Sequence, residues 1–380
     1  LETLMAIFVS NRYLPRRILL LTGCFARAAA ERHSISRLWK QSSGLMARSV
    51  TQNAGDHGEH YITRDKKEYW AMFYSAAGGG VLIALMALFK TYLGSIIDDK
   101  VWKGIAEGLN YGLGFMVIFM LHFTVATKQP AMTAARFAEA VEKTPQGKSV
   151  NMKLAQLLVD VFRSQSIAVL GNVLIAMGLA ALIAFGYQYK TGEPLMNADQ
   201  IAYQLHSIDP FAGTLWFAAI AGVWLFCSGI ISGYFDNRSN YLNMRMRLAQ
   251  HPLLKKLMSE KTRVKFANYM HENYGSLIGN LCFGMLLGIT GVVGYLTHLP
   301  LDIRHVAFSS ANVGYIAVSG HFTYSLLLQC IGFVLLIGLV NLIVSFSLTL
   351  WVALRSLNAE IDSWWPIWHE VCQIVKKRPL

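Results

Sequence analysis

The sequence predicts an all-α fold, a polytopic integral membrane helix bundle of about six transmembrane helices with one re-entrant segment. Three observations carry that prediction. Of 380 residues, 54% are hydrophobic and only 15% are charged, whereas a soluble domain carries about 25% charged residues. The apolar residues gather into uncharged runs of about twenty or more, long enough to cross a hydrocarbon layer roughly 30 Å thick. Finally, Lys and Arg concentrate on alternate connections between those runs, which is how multi-pass membrane proteins sort cations. These features exclude a disordered chain, a small disulfide scaffold and an ordinary soluble enzyme. The five cysteines are an odd number, and Cys227, Cys282 and Cys330 fall inside apolar runs. They read as reduced thiols.

In chain order, residues 1–68 form a basic N-terminal segment expected on the cytoplasmic side. Because the chain opens at Leu1 without an initiator Met, this segment is expected to be the end of a longer upstream region. Leu21-Thr22-Gly23-Cys24 resembles a lipoprotein cleavage box, but the apolar stretch before it is shorter than the roughly 7–15 residues a secretory core needs. A short amphipathic helix is expected there instead. The transmembrane domain is expected over 69–354. Its uncharged runs are 69–89, 108–127, 164–189, 210–235 and 273–301, followed by a 49-residue run over 306–354. One helix cannot use all of that last run. Two crossings would carry the tail 355–380, with Lys376, Lys377 and Arg378, to the outside. A re-entrant stretch near 306–319 followed by one crossing keeps the tail inside, and the Gly, Ser and Asn of 308–314 suit backbone that other protein covers.

With both termini cytoplasmic, the inside segments are 1–68, 128–163, 236–272 and 355–380. They hold 29 of the 34 Lys and Arg, and the outside segments hold five. The positive-inside rule reads this bias, and it places both termini in the cytoplasm. The connections 128–163 and 236–272 are expected to be helical. Gly275, Gly279, Gly284 and Gly288 in the fifth run form small-xxx-small spacings that let helix backbones approach closely, so that helix is expected at the centre of the bundle. No Asp, Glu, Lys or Arg lies mid-span, which counts against a proton relay or ion pathway. Asn110, His122, Asn172, Asn280, His298, His321 and Asn341 remain at depth. They are expected to hydrogen-bond between helices, with His122 and Asn280 as the alternatives for lining a site.

Few residues suggest chemistry. His57, Glu59 and His60 precede the first span with donors suited to a divalent metal, but their spacing matches no zinc-protease motif. No cofactor is expected beyond that one possibility. Gly147-Lys148-Ser149 ends like a phosphate-binding loop, but Glu142 stands where its first glycine would be. The segment 236–272 carries eight Lys and Arg against three acids, with tyrosines interleaved and a helix start at Pro252. It should lie on the lipid bilayer, held by anionic headgroups at roughly 1 kcal/mol per basic residue; a nucleic-acid surface is the competing reading.

Three longer motifs carry a family resemblance: Thr127 to Ala134 around Lys128, Gln129 and Pro130; Gly233 to Arg238 with Asp236, Asn237 and Arg238; and Leu299 to Asn312 with Asp302, Arg304, His305, Ser309, Ser310 and Asn312. The chain from about Gly55 to Leu354 resembles a bacterial membrane-protein family that bears the name site-specific recombinase, the gonococcal recombinase-like proteins. The resemblance implies a multi-pass inner-membrane protein and marks these residues as its functional motifs. Recombinase chemistry is a separate matter. None of the eleven histidines has Arg three positions on, as a tyrosine recombinase requires, and the Tyr-x-Arg-x-Ser element of serine recombinases is absent. No catalytic residue is therefore assigned. The function expected is that of an inner-membrane protein whose small-molecule substrate is not specified by the sequence. A membrane-tethered DNA-binding protein and a transporter or lipid-handling protein are the alternatives. Asp236 with Arg238, and Asp302 with Arg304, are expected to pair across turns.

Overall fold

The fold is described from a computed structural model, which places residues 19, 21–23, 25–26, 63, 65–126, 141, 148–318, 322–356 and 363–377. The chain divides into two compact units, 1–46 and 47–380. The described residues of the first are helical and mostly exposed, with the Thr22 hydroxyl donating to the Leu19 carbonyl.

The second unit is built of helices joined by short non-helical connections, and no strand occurs among its described residues. Its elements are α1 (Lys66–Ile96), α2 (Lys100–Met120), α3 (Lys148–Thr191), α4 (Ala198–Ile208), α5 (Thr214–Tyr241), α6 (Met244–Gln250), α7 (Pro252–Leu257), α8 (Glu260–Thr297), α9 (Val306–Ala317), α10 (Tyr324–Ser356) and α11 (Trp364–Lys377). Five of them, α1, α3, α5, α8 and α10, are long and apolar enough to cross a bilayer. Capping sets the starts: Asp65 opens α1, Asp99 opens α2, Asn197 with Gln200 forms a capping box on α4, and Ser259 opens α8. Each offers a side-chain oxygen to amides that have no partner within the helix.

Close approaches fix the directions of the long helices. Thr63 meets Ser164, Gly171 lies against Ala76, and Gly80 lies against Ala176, so α1 and α3 run parallel. Gly104, Gly108 and Gly112 of α2 face Val292, Met285 and Leu281 of α8, which makes that pair antiparallel. At Gly284 a Cβ would come within 2.0 Å of the Gly112 nitrogen, and at Gly288 within 2.4 Å of the Gly108 Cα. Only hydrogen fits between these backbones, which is how small-residue stripes gain packing in lipid. On its other side α8 runs antiparallel to α5, where Trp224 donates to the Thr290 hydroxyl at 2.8 Å and Gly275 lies against Ser232 and Asp236. The fifth run is therefore central, as its glycine spacing suggests. Finally, Ala218 and Gly222 of α5 lie against Asn341 and Val344 of α10, and these two run parallel.

Two boundaries differ from the sequence expectation. The second helix begins at Lys100, not Gly108, because Asp99 caps it and the charged turn Lys100–Glu107 is already helical. It also ends seven residues early. His122 adopts a left-handed φ of 58°, and 123–125 continue without helix beside α1. The basic connection 236–272 is no separate loop but the end of α5, the short α6 and α7, and the first turns of α8.

The 306–319 stretch is helical from Val306 to Ala317, and ten of its twelve residues are buried. Before it, residues 299–305 turn back along α8. The Leu301 carbonyl lies against Gly294, Asp302 approaches Gly291, and the His305 ring packs 5.7 Å from Phe283. From Gly294 to Phe283 is about 16 Å along a helix at 1.5 Å per residue. α9 then climbs back, bringing Asn312 to a cavity that Gly288 and Gly291 also line. An extended limb goes in and a helical limb comes out.

Two asparagines hold the backbone where it leaves helix. Asn172 accepts from the Ala126 amide and donates to the Ala76 and Thr124 carbonyls. Asn341 accepts from the Val306 amide and donates to the Ala218 and Arg304 carbonyls. Both are at most 1% exposed. In an apolar interior such backbone groups would otherwise be stranded, at a cost of several kcal/mol each.

Candidate functional site

A polar cleft opens at the bundle end where α1 and α8 stop and α2 and α4 start. Its volume is about 550 Å³, within the range of small-molecule sites. One wall is cationic: Lys90 at the end of α1, with Lys100 and Lys103 on the first turns of α2. Lys90 pairs with Glu107 at 3.6 Å and sits over the Tyr111 ring, its ammonium 5.7 Å from the centroid. The Lys100 ammonium lies 4.3 Å from the Tyr295 ring centroid, a cation–π distance. The Lys103 ammonium fills the space beside Gly94. Among the described residues, no carboxylate lies within ion-pair reach of Lys100 or Lys103.

The facing wall is polar and comes from α4, with Asn197, Asp199, Gln200, Tyr203 and Gln204, completed by Asp302 and Asn312 from the two limbs of the turn-back. The floor is closed. Going down α2 from Glu107, the same face presents Tyr111 and then Phe115, both buried. Tyr111 packs on Phe308 at 4.4 Å and Phe115 on Phe283 at 5.1 Å. The cleft is thus a blind pocket, not one mouth of a described channel.

The sequence motifs divide around this geometry. Asp302 and Asn312 line the cleft. Arg304 lies behind it, paired with Asp302 at 2.6 Å and donating to the Ser207 and Ile303 carbonyls, with its guanidinium 5.4 Å from the Phe217 ring. Here the expected pair across a turn is present. His305 is buried among Phe115, Phe283 and Phe308, and Ser309 and Ser310 are buried inside α9, with the Ser310 hydroxyl donating to the Ala307 carbonyl.

Asp236 and Arg238 do not pair. Two residues apart on a helix they point roughly 200° from each other; Asp236 accepts from the Gly275 amide at 2.9 Å, whereas Arg238 is exposed. Asn237, next to them on α5, is half-buried. Lys128, Gln129, Pro130, His57, Glu59, His60 and His321 lie outside the described residues. Among those described, no group of three or more His, Cys, Asp or Glu is placed to hold a metal. The described thiols, Cys227, Cys282, Cys330 and Cys372, are free. Of the other polar residues at depth, Asn110 bridges α2 to the Met86 carbonyl, Asn280 bonds back to Ser276 in its own helix, and His298 caps α8 with a φ of 56°. His122 is exposed, and neither it nor Asn280 lines this cleft.

The cationic wall was not legible as a site. Lys90, Lys100, Lys103 and Glu107 bound apolar runs, and boundary charges read as solvated ends. A signal was present: once Asp99 is taken as a cap, Lys100, Lys103 and Glu107 follow at helical spacing on one side of α2, with Gly104 and Gly108 nearby.

The family model described as site-specific recombinase matches residues 1–380. The chain belongs to the site-specific recombinase family. No curated protein and no solved structure matches it. The family name describes strand exchange, while the site described above is a cleft with a cationic wall at one end of an apolar bundle.

Proposed function

We propose that this member of the site-specific recombinase family is a six-span inner-membrane protein that binds a ligand in an outward-facing cleft, and that strand exchange is not carried out by the residues of this bundle. α2 is the sixth crossing. Its direction fits: α1, α2, α3, α5, α8 and α10 alternate, with the 299–317 turn-back entering and leaving at one face. Both termini then lie in the cytoplasm.

The observation that carries the reading is the position of the cleft. It opens at the end that holds five of the 34 Lys and Arg, the non-cytoplasmic end by the positive-inside rule. Duplex DNA in the cytoplasm cannot reach it. The test is impermeant maleimide labelling of intact cells, using Asp199→Cys and Lys255→Cys in a background without other cysteines. Position 199 should label in intact cells and position 255 only after permeabilisation; the reverse pattern overturns the proposal.

A DNA-acting role is the second reading, and one observation bears on it. Of the eight basic residues over 236–272, all but Arg263 are exposed. Tyr241, Leu253 and Leu257 are exposed beside them at 88%, 62% and 78%, a mixture that suits a lipid interface better than a phosphate backbone. Titration of the purified protein with labelled duplex across a salt series decides between them. Saturable binding at physiological salt that weakens steeply as salt rises, and that Lys255→Glu with Lys256→Glu abolishes, would establish the DNA role.

A further inference from the structure

Next to the cationic wall, one helical turn further into the bundle, lies a second cavity of different character. It is an apolar groove of about 260 Å³ between α1 and α2, lined by Leu82, Leu85, Met86, Phe89, Gly114 and Val117, with Asn110 at one edge. Leu85, Phe89 and Val117 are 46%, 48% and 44% exposed, so the groove opens sideways. Met86 stands four residues before Lys90, and Asn110 three residues after Glu107. The groove therefore continues the interhelix seam that the Lys90–Glu107 pair closes at the cleft. Asn110 is tied to the Met86 carbonyl at 2.9 Å, which holds the two helices together there.

We infer that the two cavities are one site for a phospholipid, with its phosphate on the Lys100 and Lys103 side of the cleft and one acyl chain along the α1–α2 groove. This rests on the reading of the cleft as a ligand site and supplies the ligand class. Charge complementarity is the first argument. Lys90 is matched by Glu107 and Asp302 by Arg304, which leaves Lys100 and Lys103 to meet an anion, while Asp199 stands on the opposite wall beside amide and hydroxyl groups suited to a headgroup alcohol or amine. Geometry is the second. Polar above apolar, in the direction from the bundle end to its middle, is the order in which a lipid of the outer leaflet presents its own groups. A soluble phosphate compound would use the cleft and leave the groove idle.

The experiment uses the full chain, purified in detergent, stripped of lipid and returned to nanodiscs or to defined lipid. Native mass spectrometry counts retained lipid. The probes are phosphatidylglycerol, diacylglycerol, which lacks the phosphate, and inorganic phosphate, which lacks the chains. One phosphatidylglycerol per chain should survive conditions that strip diacylglycerol. Lys100→Glu with Lys103→Glu should weaken retention by about thirtyfold or more, from roughly 1 kcal/mol per basic residue. Leu85→Trp, which fills the groove, should weaken it about tenfold, the scale of a partly lost apolar contact. Lys100→Gln with Lys103→Gln serves as a milder second variant, and unchanged gel-filtration profile and helix content show that each variant is folded.

Equal retention of phosphatidylglycerol and diacylglycerol, or no change in either variant, overturns the inference. So does phosphate that displaces the lipid, coupled with indifference to Leu85→Trp, which would leave the cleft a site for a soluble anion. The maleimide pattern is independent of all these outcomes, so failure of the lipid assignment and failure of the outward-facing reading are told apart.

Discussion

Asn341 and Lys103 are both polar side chains set into an apolar bundle, and they end in opposite states. Asn341 is fully buried and spends its amide on three backbone groups, the Val306 N–H and the Ala218 and Arg304 carbonyls. Lys103 is half-buried, borders a cavity of about 550 Å³ and has no carboxylate partner among the described residues. The first side chain has nothing left to offer a guest, and the second has a full charge to offer. Burial alone does not mark function here; unspent hydrogen-bonding and charge capacity beside open space does. Asn172 belongs with Asn341, since its amide is committed to Ala76, Thr124 and Ala126.

That contrast can be broken by substitution. Asn341→Leu should cost the most, about 3 kcal/mol or more, because it leaves the Val306 amide and two carbonyls without partners in a dry interior. The measurement is unfolding in detergent–SDS mixtures, and a loss below about 1 kcal/mol would show that the backbone there finds other partners. Gly284→Ala comes next. A Cβ within 2.0 Å of the Gly112 nitrogen must push α2 from α8, at about 2–3 kcal/mol for overpacking.

Arg304→Gln should follow at about 1–2 kcal/mol, since it removes the ion pair to Asp302 and weakens the contacts to Ser207 and Ile303. Lys100→Gln and Lys103→Gln should change stability least, by less than about 0.5 kcal/mol, as surface substitutions do. Retained lipid should rank the last two variants above all others. A lysine variant that destabilises as much as Asn341→Leu would erase the distinction.

The sequence made some of this plain and hid the rest for physical reasons. The long apolar helices are visible because apolar length is a local property. The central place of α8 is visible because Gly275, Gly279, Gly284 and Gly288 recur at helical spacing. The run 306–354 is too much apolar chain for one helix, yet nothing local says that α9 is helical and that the incoming limb is 299–305; that limb is defined by its contacts with Gly294 and Phe283 of α8. Of the two expected pairs, Asp302–Arg304 forms and Asp236–Arg238 does not, because the first lies outside helix, where residues two apart can meet, and the second lies on α5, where they cannot. The cleft escaped because its lysines sit at the edges of apolar runs, and an edge charge facing water and one facing a cavity look the same in one dimension. The floor of the cleft, Tyr111 and Phe115 against Phe283 and Phe308, is likewise assembled from three helices.

The Asn341 clamp also orders events during synthesis. The limb that dives at His305 and the helix that returns through Tyr315 are synthesised before residue 341, so the turn-back is unlatched until α10 has been made. A nascent chain that has not reached residue 341 lacks the amide that pins the dive in place. Synthesis of α10 is therefore itself a folding step, and a nascent chain stalled before residue 341 should leave the 299–317 segment open to proteolysis.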